Sequence, residues 1–341
     1  MVNFRMWVKA LTTIPKVTGK EWQELDLVSR WLIMTRSGVT TVTIFSCAVA
    51  GLLAWTEGHF RFIPWLIVTL GLFIAHGTNN ILNDLTDYSR GVDTDNYFRS
   101  MYGPHPLVHG FHDKKTQIIY FVASGMIAVL AGIYALFYTG FDPVVIAFIA
   151  SGAFFLLLYT FPLKTIALGE LSIFLVWGPI MITGVYYVLT QDWDWHVVLA
   201  SVPVGLSVMS INLGKHIDKL AEDRRKRVFT LPTVIGEAAS RYLDIISLVA
   251  AYGVVLYLVF VLRYLSPVMV IVFLAGKWLF YSLAVLTKPK PEQPPDGYPA
   301  WPVWFAGFTF LHNRWFISLF MLGLLLNLLL RIYFPEFWIS V

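Results

Sequence analysis

The residues best suited to chemistry in this sequence are acids and amides that follow the second long apolar run. They lie in the segment NNILNDLTDYSRGVDTD, which spans residues 79–95. If the apolar helix continues into it, Asn80, Asp84 and Asp87 fall at positions i, i+4 and i+7, so one helix face carries an amide and two carboxylates. Gly91 then allows a turn that brings Asp93 back toward them. The pattern predicts a cluster of oxygen ligands at one helix end.

This cluster predicts a bound cation. Four carboxylates, those of Asp84, Asp87, Asp93 and Asp95, lie within twelve residues. They repel one another and meet the negative end of the helix dipole. Mg²⁺ is the natural ion, because it takes hard oxygen ligands and is usually bound by one or two carboxylates plus substrate phosphates. The alternative is a solvated polar loop, although such a loop need not begin on the face of an apolar helix.

A second acidic segment follows the sixth apolar run. The sequence NLGKHIDKLAEDRRKR occupies residues 212–227. Its place, four spans after the first acidic segment, indicates a duplicated chain with a site between its halves. Two acidic clusters that face each other across a cavity, with Lys and Arg nearby, suit a diphosphate bridged by Mg²⁺. For most of these Lys and Arg residues the alternative role is membrane topology and contact with anionic lipid.

Apolar runs make up the elements that must position these segments. Of 341 residues, 57% are hydrophobic and 13% are charged, whereas a soluble domain has about 25% charged residues. Runs near 20 residues are typical of transmembrane helices. We expect an all-α, polytopic membrane protein with nine transmembrane helices around a central cavity, built as two pseudo-duplicated four-helix halves. The spans are expected at residues 39–55, 62–82, 116–139, 143–162, 168–190, 195–213, 242–262, 266–286 and 315–335.

The distribution of Lys and Arg predicts the orientation. With the amino terminus in the cytoplasm, these residues concentrate before the first span and in the loops after spans 2, 6 and 8, whereas the outer loops keep Arg61, Arg263 and Arg331. This arrangement follows the positive-inside rule. We therefore expect a multi-pass protein of the cell membrane whose acidic loops, residues 83–115 and 214–241, are cytoplasmic and whose carboxyl terminus is outside.

The remaining segments complete the predicted domain organisation. Residues 1–38 are expected to form an amphipathic cytoplasmic or interfacial lead-in, and residues 39–341 a single transmembrane domain. Residues 288–302 contain six prolines and should form an extended linker, because proline lacks the N–H that a helix needs. Cys47 is the only cysteine, which excludes an intramolecular disulfide and a cysteine-based metal site. The net charge of +4 is not gathered on one basic stripe, so no nucleic-acid partner is expected.

Together these features resemble the UbiA superfamily of intramembrane prenyltransferases, and the resemblance covers most of the chain from Arg36 onward. The family's hallmark is an Asn-Asp-x-x-Asp helix end followed by a further Asp, which Asn83-Asp84-x-x-Asp87 and Asp93 match. Further matches are YTFPLK at 159–164, LGE at 168–170, GP at 178–179, GVYY at 184–187 and TLP at 230–232. The sequence looks most like the 1,4-dihydroxy-2-naphthoate polyprenyltransferases of menaquinone synthesis.

The second acidic motif departs from the family's pattern. Aligned on the TLP tail, Asp223 matches the family's later acid, but the position four residues earlier holds Lys219. Either the helix has one extra residue and Asp218 serves with Asp223, or Asp218 pairs with Glu222 at i, i+4. We predict that Asp218 and Asp223 join Asp84, Asp87 and Asp93 as metal ligands, with the pair Asp218 and Glu222 as the open alternative.

The resemblance implies Mg²⁺-dependent transfer of a polyprenyl group from an allylic diphosphate to an aromatic or other electron-rich acceptor, in quinone or related lipid biosynthesis. Metal and side-chain cations would stabilise the leaving diphosphate, and a water-poor cavity would protect the allylic cation. The catalytic residues are predicted to be Asp84, Asp87, Tyr159 and Lys164. The substrate-binding residues are predicted to be Arg36, Asn80, Asn83, Arg90, Asn212 and Lys215.

The main alternative from another functional class is a cation-coupled membrane transporter that uses the paired acids to bind a transported ion. Transport sites lie near the bilayer midplane, whereas these acids lie at span ends beside cations suited to phosphate. Lys277 lies within a span and either has a function or extends its ammonium to the interface. The histidines His105, His109, His216 and His312 are expected to be hydrogen-bonded structural residues rather than metal ligands.

Overall fold

Three short helices open the chain in the computed structural model, which describes residues 2–93 and 103–334. They are α1 (Phe4–Thr12), α2 (Gly19–Glu24) and α3 (Leu27–Met34). Asp26 caps α3 by accepting the backbone N–H of Ser29, and it also accepts the indole N–H of Trp7 at 3.0 Å. This carboxylate therefore ties α1 to α3. Asp95, which the sequence places with the first acidic cluster, lies outside the described residues.

A series of apolar helices forms the rest of the fold. They are α4 (Ser37–Thr56), α5 (Phe62–Ser89), α6 (Lys114–Tyr138), α7 (Pro143–Leu158), α8 (Gly169–Thr190), α9 (Trp195–Asp218), α12 (Glu237–Val261), α13 (Pro267–Leu286) and α14 (Phe305–Tyr333), with the short polar helices α10 (Leu220–Arg225) and α11 (Leu231–Ile235) between α9 and α12. Eight of the described helices are long and apolar enough to cross a bilayer, and α7, with 16 residues, is shorter. The prediction of an all-α polytopic membrane protein is confirmed, whereas the number nine is not. The central cavity stays a prediction.

The outer faces of the helices are apolar, as a lipid environment requires. On α6, for example, Ile119 and Leu130 are 58% and 63% exposed. By contrast, α9 lies in the interior and packs against α8, α12 and α14. The side chains able to do chemistry therefore belong to helices whose other faces are covered by protein.

Two glycines allow α8 and α9 to approach closely. A Cβ on Gly178 would lie 3.0 Å from the Cα of Gly205, and a Cβ on Gly205 would lie 2.7 Å from the carbonyl oxygen of Phe174. The backbone of α8 also leaves helical geometry at Gly178, next to Pro179, which cannot donate an N–H to the helix. The close crossing fixes α8 against α9.

The last helix begins at Phe305, ten residues before the expected span. Its start is held by Asp218 at the end of α9, whose carboxylate accepts the backbone N–H groups of Trp304, Phe305 and Ala306 at 2.9, 3.1 and 3.1 Å. No helix occurs between Leu286 and Phe305, in agreement with the proline content of that segment. The segment is anchored, because Lys290 donates hydrogen bonds to the carbonyl oxygens of Asp218 and Pro302.

Candidate active site

The end of α5 brings the first acidic segment together. The helix continues to Ser89, and Gly91 adopts a positive φ of 71°, which glycine accommodates without strain. The chain then turns back, so that the N–H groups of Val92 and Asp93 donate to the carbonyl oxygen of Asp87 at 2.8 and 3.4 Å. The side chains of Asp84, Asp87 and Asp93 are all buried. The local pattern read from the sequence is thus present in the fold.

His105 joins this cluster, which the sequence did not reveal. Its Nε2 lies 3.0 Å from a carboxylate oxygen of Asp93, while its Nδ1 is the acceptor for the N–H of Val108 at 3.5 Å. This pattern fits the tautomer in which Nε2–H donates to Asp93. Ligand atoms of Asp84, Asp93 and His105 lie within 4.8 Å of one another. The histidine therefore orients an acid in the manner of a residue that supports a metal ligand.

Two buried cations face the acids. Arg36, in the turn before α4, approaches Asp84 with a nitrogen–oxygen distance of 3.3 Å. Lys164, from the loop between α7 and α8, lies 2.5 Å from an oxygen of Asp87 and 3.4 Å from the amide oxygen of Asn83. A charge with an opposite neighbour is far less costly to bury than an isolated one. The structure thus places both predicted cations beside the predicted acids.

Asn80 fixes the position of Arg36. The side-chain amide of Asn80 donates to the backbone carbonyl oxygen of Thr35 at 2.7 Å. The backbone carbonyl oxygen of Asn80 lies 3.4 Å from a guanidinium nitrogen of Arg36. Arg36 itself has a left-handed backbone, with φ of 57°, at the start of α4. The predicted role of Asn80 in substrate binding remains a prediction, and its observed contacts hold the turn that carries the guanidinium.

The loop that carries Lys164 also carries Tyr159. A short 3₁₀ helix, Leu163–Thr165, follows Tyr159, and the N–H of Lys164 donates to the Tyr159 carbonyl oxygen at 2.8 Å. The buried Tyr159 hydroxyl donates to the side-chain oxygen of Asn212 on α9 at 3.2 Å. Burial raises the pKa of this phenol, and so do the nearby negative charges of Glu170 and Asp87. Tyr159 therefore stays protonated between two carboxylates.

Lys219 and Lys226 connect the second acidic segment, which contains Asp223, to the first. The Asp223 carboxylate lies 3.0 Å from Lys219 and accepts the hydroxyl of Thr230 at 3.2 Å. Lys219 is buried, which by itself would lower its pKa, but the carboxylates of Asp223, Asp87 and Asp93 outweigh burial and raise it. Lys226 further joins the two segments by donating to the carbonyl oxygen of Gly91 at 3.0 Å. A fixed ammonium thus lies between the acidic segments.

The structure places Asp218 away from the first acidic cluster, and its predicted role as a metal ligand stays a prediction. Its oxygens accept three backbone N–H groups at the start of α14, and Lys290 lies 3.4 Å away. These partners satisfy the carboxylate and belong to a different element. Among the described residues, the group of three or more possible ligand side chains is Asp84, Asp93 and His105, while Glu222 is buried on α10.

Two further predicted substrate-binding residues lie at the ends of α5 and α9. Arg90 is exposed at the end of α5, with its guanidinium carbon 3.9 Å from the centre of the Phe161 ring. Lys215 is half-buried in the last turn of α9, one turn before Lys219. Their roles in binding substrate remain predictions.

Comparison with known proteins identifies the family. Residues 44–306 match the UbiA prenyltransferase family over most of the chain. The chain belongs to this family. Family membership agrees with the resemblance read from the acidic motifs and favours an enzyme over a transporter.

Curated relatives of this UbiA family member include named prenyltransferases. A UbiA prenyltransferase domain-containing protein 1 homolog from Drosophila melanogaster is 26% identical over 231 residues, which are 65% of this chain and 60% of the fly protein. A 1,4-dihydroxy-2-naphthoate octaprenyltransferase from Bacillus subtilis is 27% identical over 240 residues, which are 70% of each chain. This chain therefore spans between three fifths and seven tenths of the length of these relatives.

Solved structures of UbiA homologues share the fold. The apo structure of a homologue from Aeropyrum pernix aligns with a TM-score of 0.61 at 14% identity, covering 85% of this chain and 98% of that one. A homologue from Archaeoglobus fulgidus, whose structure holds DMAPP and Mg²⁺, aligns with a TM-score of 0.50 at 12% identity, covering 86% and 98%. At these identities the likeness concerns the fold.

The donor set of the cluster suits Mg²⁺. Asp84, Asp87 and Asp93 supply buried carboxylate oxygens, which are the hard ligands that Mg²⁺ prefers. The nearby imidazole of His105 is occupied by its hydrogen bond to Asp93, so it leaves the oxygens as ligands. Their number also leaves coordination positions for water and phosphate oxygens, as is usual for Mg²⁺.

Proposed function

We propose that this UbiA family member transfers a polyprenyl group from an allylic diphosphate to an aromatic acceptor, with Mg²⁺ holding the diphosphate. The observation that carries the proposal is that buried Asp84, Asp87 and Asp93 meet Arg36 and Lys164 at one end of the helical bundle. A neutral substrate needs neither set of charges. A diphosphate uses both, since the acids hold its cation and the basic side chains meet its oxygens.

In this proposal each charged side chain has a separate role. Asp84, Asp87 and Asp93 would hold Mg²⁺, which when bound offsets the charge of the leaving diphosphate. Arg36 and Lys164 donate N–H groups to phosphate oxygens, and their buried positions keep these charge-assisted bonds strong. The polar end of α5 thus orients the diphosphate, while the prenyl chain is left in the apolar surroundings of the helices.

The transfer itself exchanges one bond for another. The bond between C1 of the donor and its phosphate oxygen breaks, and its electron pair leaves with the diphosphate. A ring carbon of the acceptor forms the new bond to C1 and then loses its proton. The ring face of Tyr159, which is buried beside both acidic segments, can stabilise the allylic cation. Exclusion of water from the site protects that cation from hydrolysis.

The acceptor proposed is a hydroxynaphthoate, which would place the chain in quinone biosynthesis. Support comes from the names of relatives, since the Bacillus subtilis protein is a 1,4-dihydroxy-2-naphthoate octaprenyltransferase. The Tyr159 hydroxyl and the Asn212 side-chain amide, which contact each other at 3.2 Å, offer polar contacts to such a ring. An aromatic acid therefore agrees with the acceptor named for a relative and with the polar groups of Tyr159 and Asn212.

The direct test is turnover by the purified full chain in lipid nanodiscs. Radiolabelled geranylgeranyl diphosphate would be incubated with 1,4-dihydroxy-2-naphthoate and with a panel of other aromatic acids. We expect a prenylated product whose formation stops with EDTA and returns with Mg²⁺. The unreactive geranylgeranyl thiolodiphosphate should raise the melting temperature only when Mg²⁺ is present. Turnover that persists without any divalent metal would overturn the proposal.

We further propose that both acidic loops face the cytoplasm of the cell. Support comes from the concentration of Lys and Arg before α4 and in the loops after α5, α9 and α13. Single cysteines would replace the exposed residues Lys115, Asp192 and Arg225 in a Cys47→Ser background. In intact cells an impermeant thiol reagent should label position 192 and spare positions 115 and 225. Labelling of 115 and 225 on opposite sides would rule out a shared diphosphate site.

A further inference from the structure

A buried pair of ionisable residues lies beside the charged cluster and has no part in holding the diphosphate. Nδ1 of His216, on α9, is 2.5 Å from Oε1 of Glu170 at the start of α8. Both side chains are almost completely buried, at 1% and 2% exposure. The other polar atom of each, Glu170 Oε2 and His216 Nε2, has no hydrogen-bond partner within the described ranges. The contact indicates the tautomer in which Nδ1–H donates to Glu170 and Nε2 carries a lone pair.

Asn212 extends this polar group along α9. It lies one turn before His216, at i and i+4, so the two side chains share a helix face. Its side-chain oxygen accepts the Tyr159 hydroxyl, while its Nδ2 is buried and has no acceptor among the described residues. The group therefore combines an unpaired N–H donor, an unpaired imidazole nitrogen and an unpaired carboxylate oxygen.

These residues lie next to the proposed diphosphate site. A Cβ built on Gly169 would be 3.4 Å from the Cα of Lys164 and 3.7 Å from Cε1 of the His216 ring, so Gly169 lies beside both residues. Lys164 in turn contacts Asp87. A molecule touching His216 and Asn212 is thus adjacent to the donor's leaving group.

A purely structural role does not account for the unpaired atoms. Buried polar groups in native proteins nearly always have hydrogen-bond partners, and each exception calls for an explanation. Three exceptions meet here, on two helices whose crossing is fixed by Gly178 and Gly205. Polar atoms whose hydrogen-bond partners belong to a bound substrate would lack partners when no substrate is bound.

We propose that Glu170, His216 and Asn212 form the acceptor subsite, in which His216 takes the proton of the acceptor's ring hydroxyl. The inference rests on the proposed prenyl transfer. Glu170 orients the imidazole and stabilises its protonated form, as carboxylates do for histidine bases. Asn212 Nδ2 donates to an oxygen of the acceptor. An aromatic ring with a hydroxyl group, and an acidic or carbonyl oxygen beside it, matches these three atoms.

Proton transfer to His216 accompanies formation of the new carbon–carbon bond. The hydroxyl proton moves to Nε2 of His216, and the ring oxygen pushes its electron pair into the ring. The ring carbon bonds to C1 of the donor as the C1–O pair leaves with the diphosphate. That carbon then releases its own hydrogen as a proton to the departing diphosphate, and His216 returns its proton to the ring oxygen. The products are the prenylated aromatic compound and protonated diphosphate.

The test compares His216→Gln and Glu170→Gln with the control His312→Gln, which replaces another buried histidine, one bonded to Tyr252 on α12. We expect both subsite variants to lower kcat at least about 100-fold, the scale of a lost general base. KM for geranylgeranyl diphosphate and the Mg²⁺-dependent thermal protection by its thiolodiphosphate should stay unchanged. The control should retain most of its activity.

A second readout separates proton transfer from support of the fold. A fluorinated hydroxynaphthoate whose ring hydroxyl is already ionised at the assay pH needs no base, so the variants should approach the wild-type rate with it. An equal loss with both acceptors, or loss of thiolodiphosphate protection in both variants, would overturn the subsite. Failure of the wild-type protein itself to bind the thiolodiphosphate with Mg²⁺ would instead refute the proposed prenyl transfer.

Discussion

Lys164 lies 2.5 Å from Asp87, although 77 residues separate them in sequence. The pair connects the loop after α7 to the end of α5, and both side chains are buried. Lys164→Met would leave the carboxylate of Asp87 without its nearest cation, and breaking a buried pair in this way destabilises a protein by about 3 kcal/mol. We expect lower thermal stability together with at least a 100-fold loss of turnover.

Lys164→Arg is the control for that variant, because it keeps the charge with a different shape. It should keep most of the stability while activity falls, since the longer planar group cannot occupy the same contact with Asp87. Thermal unfolding and turnover, measured in nanodiscs, check both variants. Full activity in Lys164→Met would show that the lysine neither meets the diphosphate nor positions Asp87.

Asp84→Asn should abolish turnover while changing the melting temperature little. The variant loses its ion pair with Arg36, but it also loses repulsion from Asp87 and Asp93, and the two effects oppose each other. Geranylgeranyl thiolodiphosphate with Mg²⁺ should no longer protect the variant from unfolding. A variant that unfolds near room temperature would indicate that Asp84 mainly supports the fold.

Local periodicity was sufficient to predict the first acidic cluster. Asn80, Asp84 and Asp87 share one face because an apolar helix continues through them, and Gly91 permits the turn that returns Asp93. These relations involve neighbours within about four turns. The resemblance to a family added Lys164 and Arg36, whose proximity to the acids depends on tertiary contacts that no local pattern encodes.

Contacts between residues far apart in the chain, where the resemblance to a family gave no guide, could not be read from the sequence. Asp218 resembles a ligand by its spacing, yet its partners Trp304 and Lys290 lie more than 70 residues later, in a proline-rich segment without periodicity. The contact of His105 with Asp93, twelve residues earlier, follows no periodic pattern in the sequence. The start of α14 was missed for the same reason, since its cap comes from α9 rather than from an adjacent residue.

Lys219 should act as a fixed cation that reduces the need for metal at the second motif. Its ammonium lies 3.0 Å from Asp223, and the pKa of Lys219 is raised by Asp223, Asp87 and Asp93 in spite of burial. Lys219→Met should therefore increase the Mg²⁺ concentration for half-maximal activity several-fold. Lys219→Asp restores the family's acid and should make the Mg²⁺ dependence of the rate steeper. Identical Mg²⁺ titrations for all three proteins would contradict this role.

Asp218→Asn should destabilise the protein without removing its chemistry. The carboxylate accepts three backbone N–H groups at the start of α14 and lies 3.4 Å from Lys290, so its charge stabilises a helix end and a half-buried ammonium. Loss of a strong cap costs up to about 2 kcal/mol. We expect a lower melting temperature and, below it, nearly normal kcat and Mg²⁺ dependence.

Asp223→Asn is the matched control, since it removes one carboxylate from the same motif. Its carboxylate pairs with Lys219 next to the first acidic cluster, so this variant should lose turnover more than stability. Melting temperature and Mg²⁺ titration of the two variants, measured side by side, separate a helix cap from a substrate-site acid. If Asp218→Asn lost turnover at an unchanged melting temperature, Asp218 would have to reach the metal in the working enzyme, and the cap would be secondary.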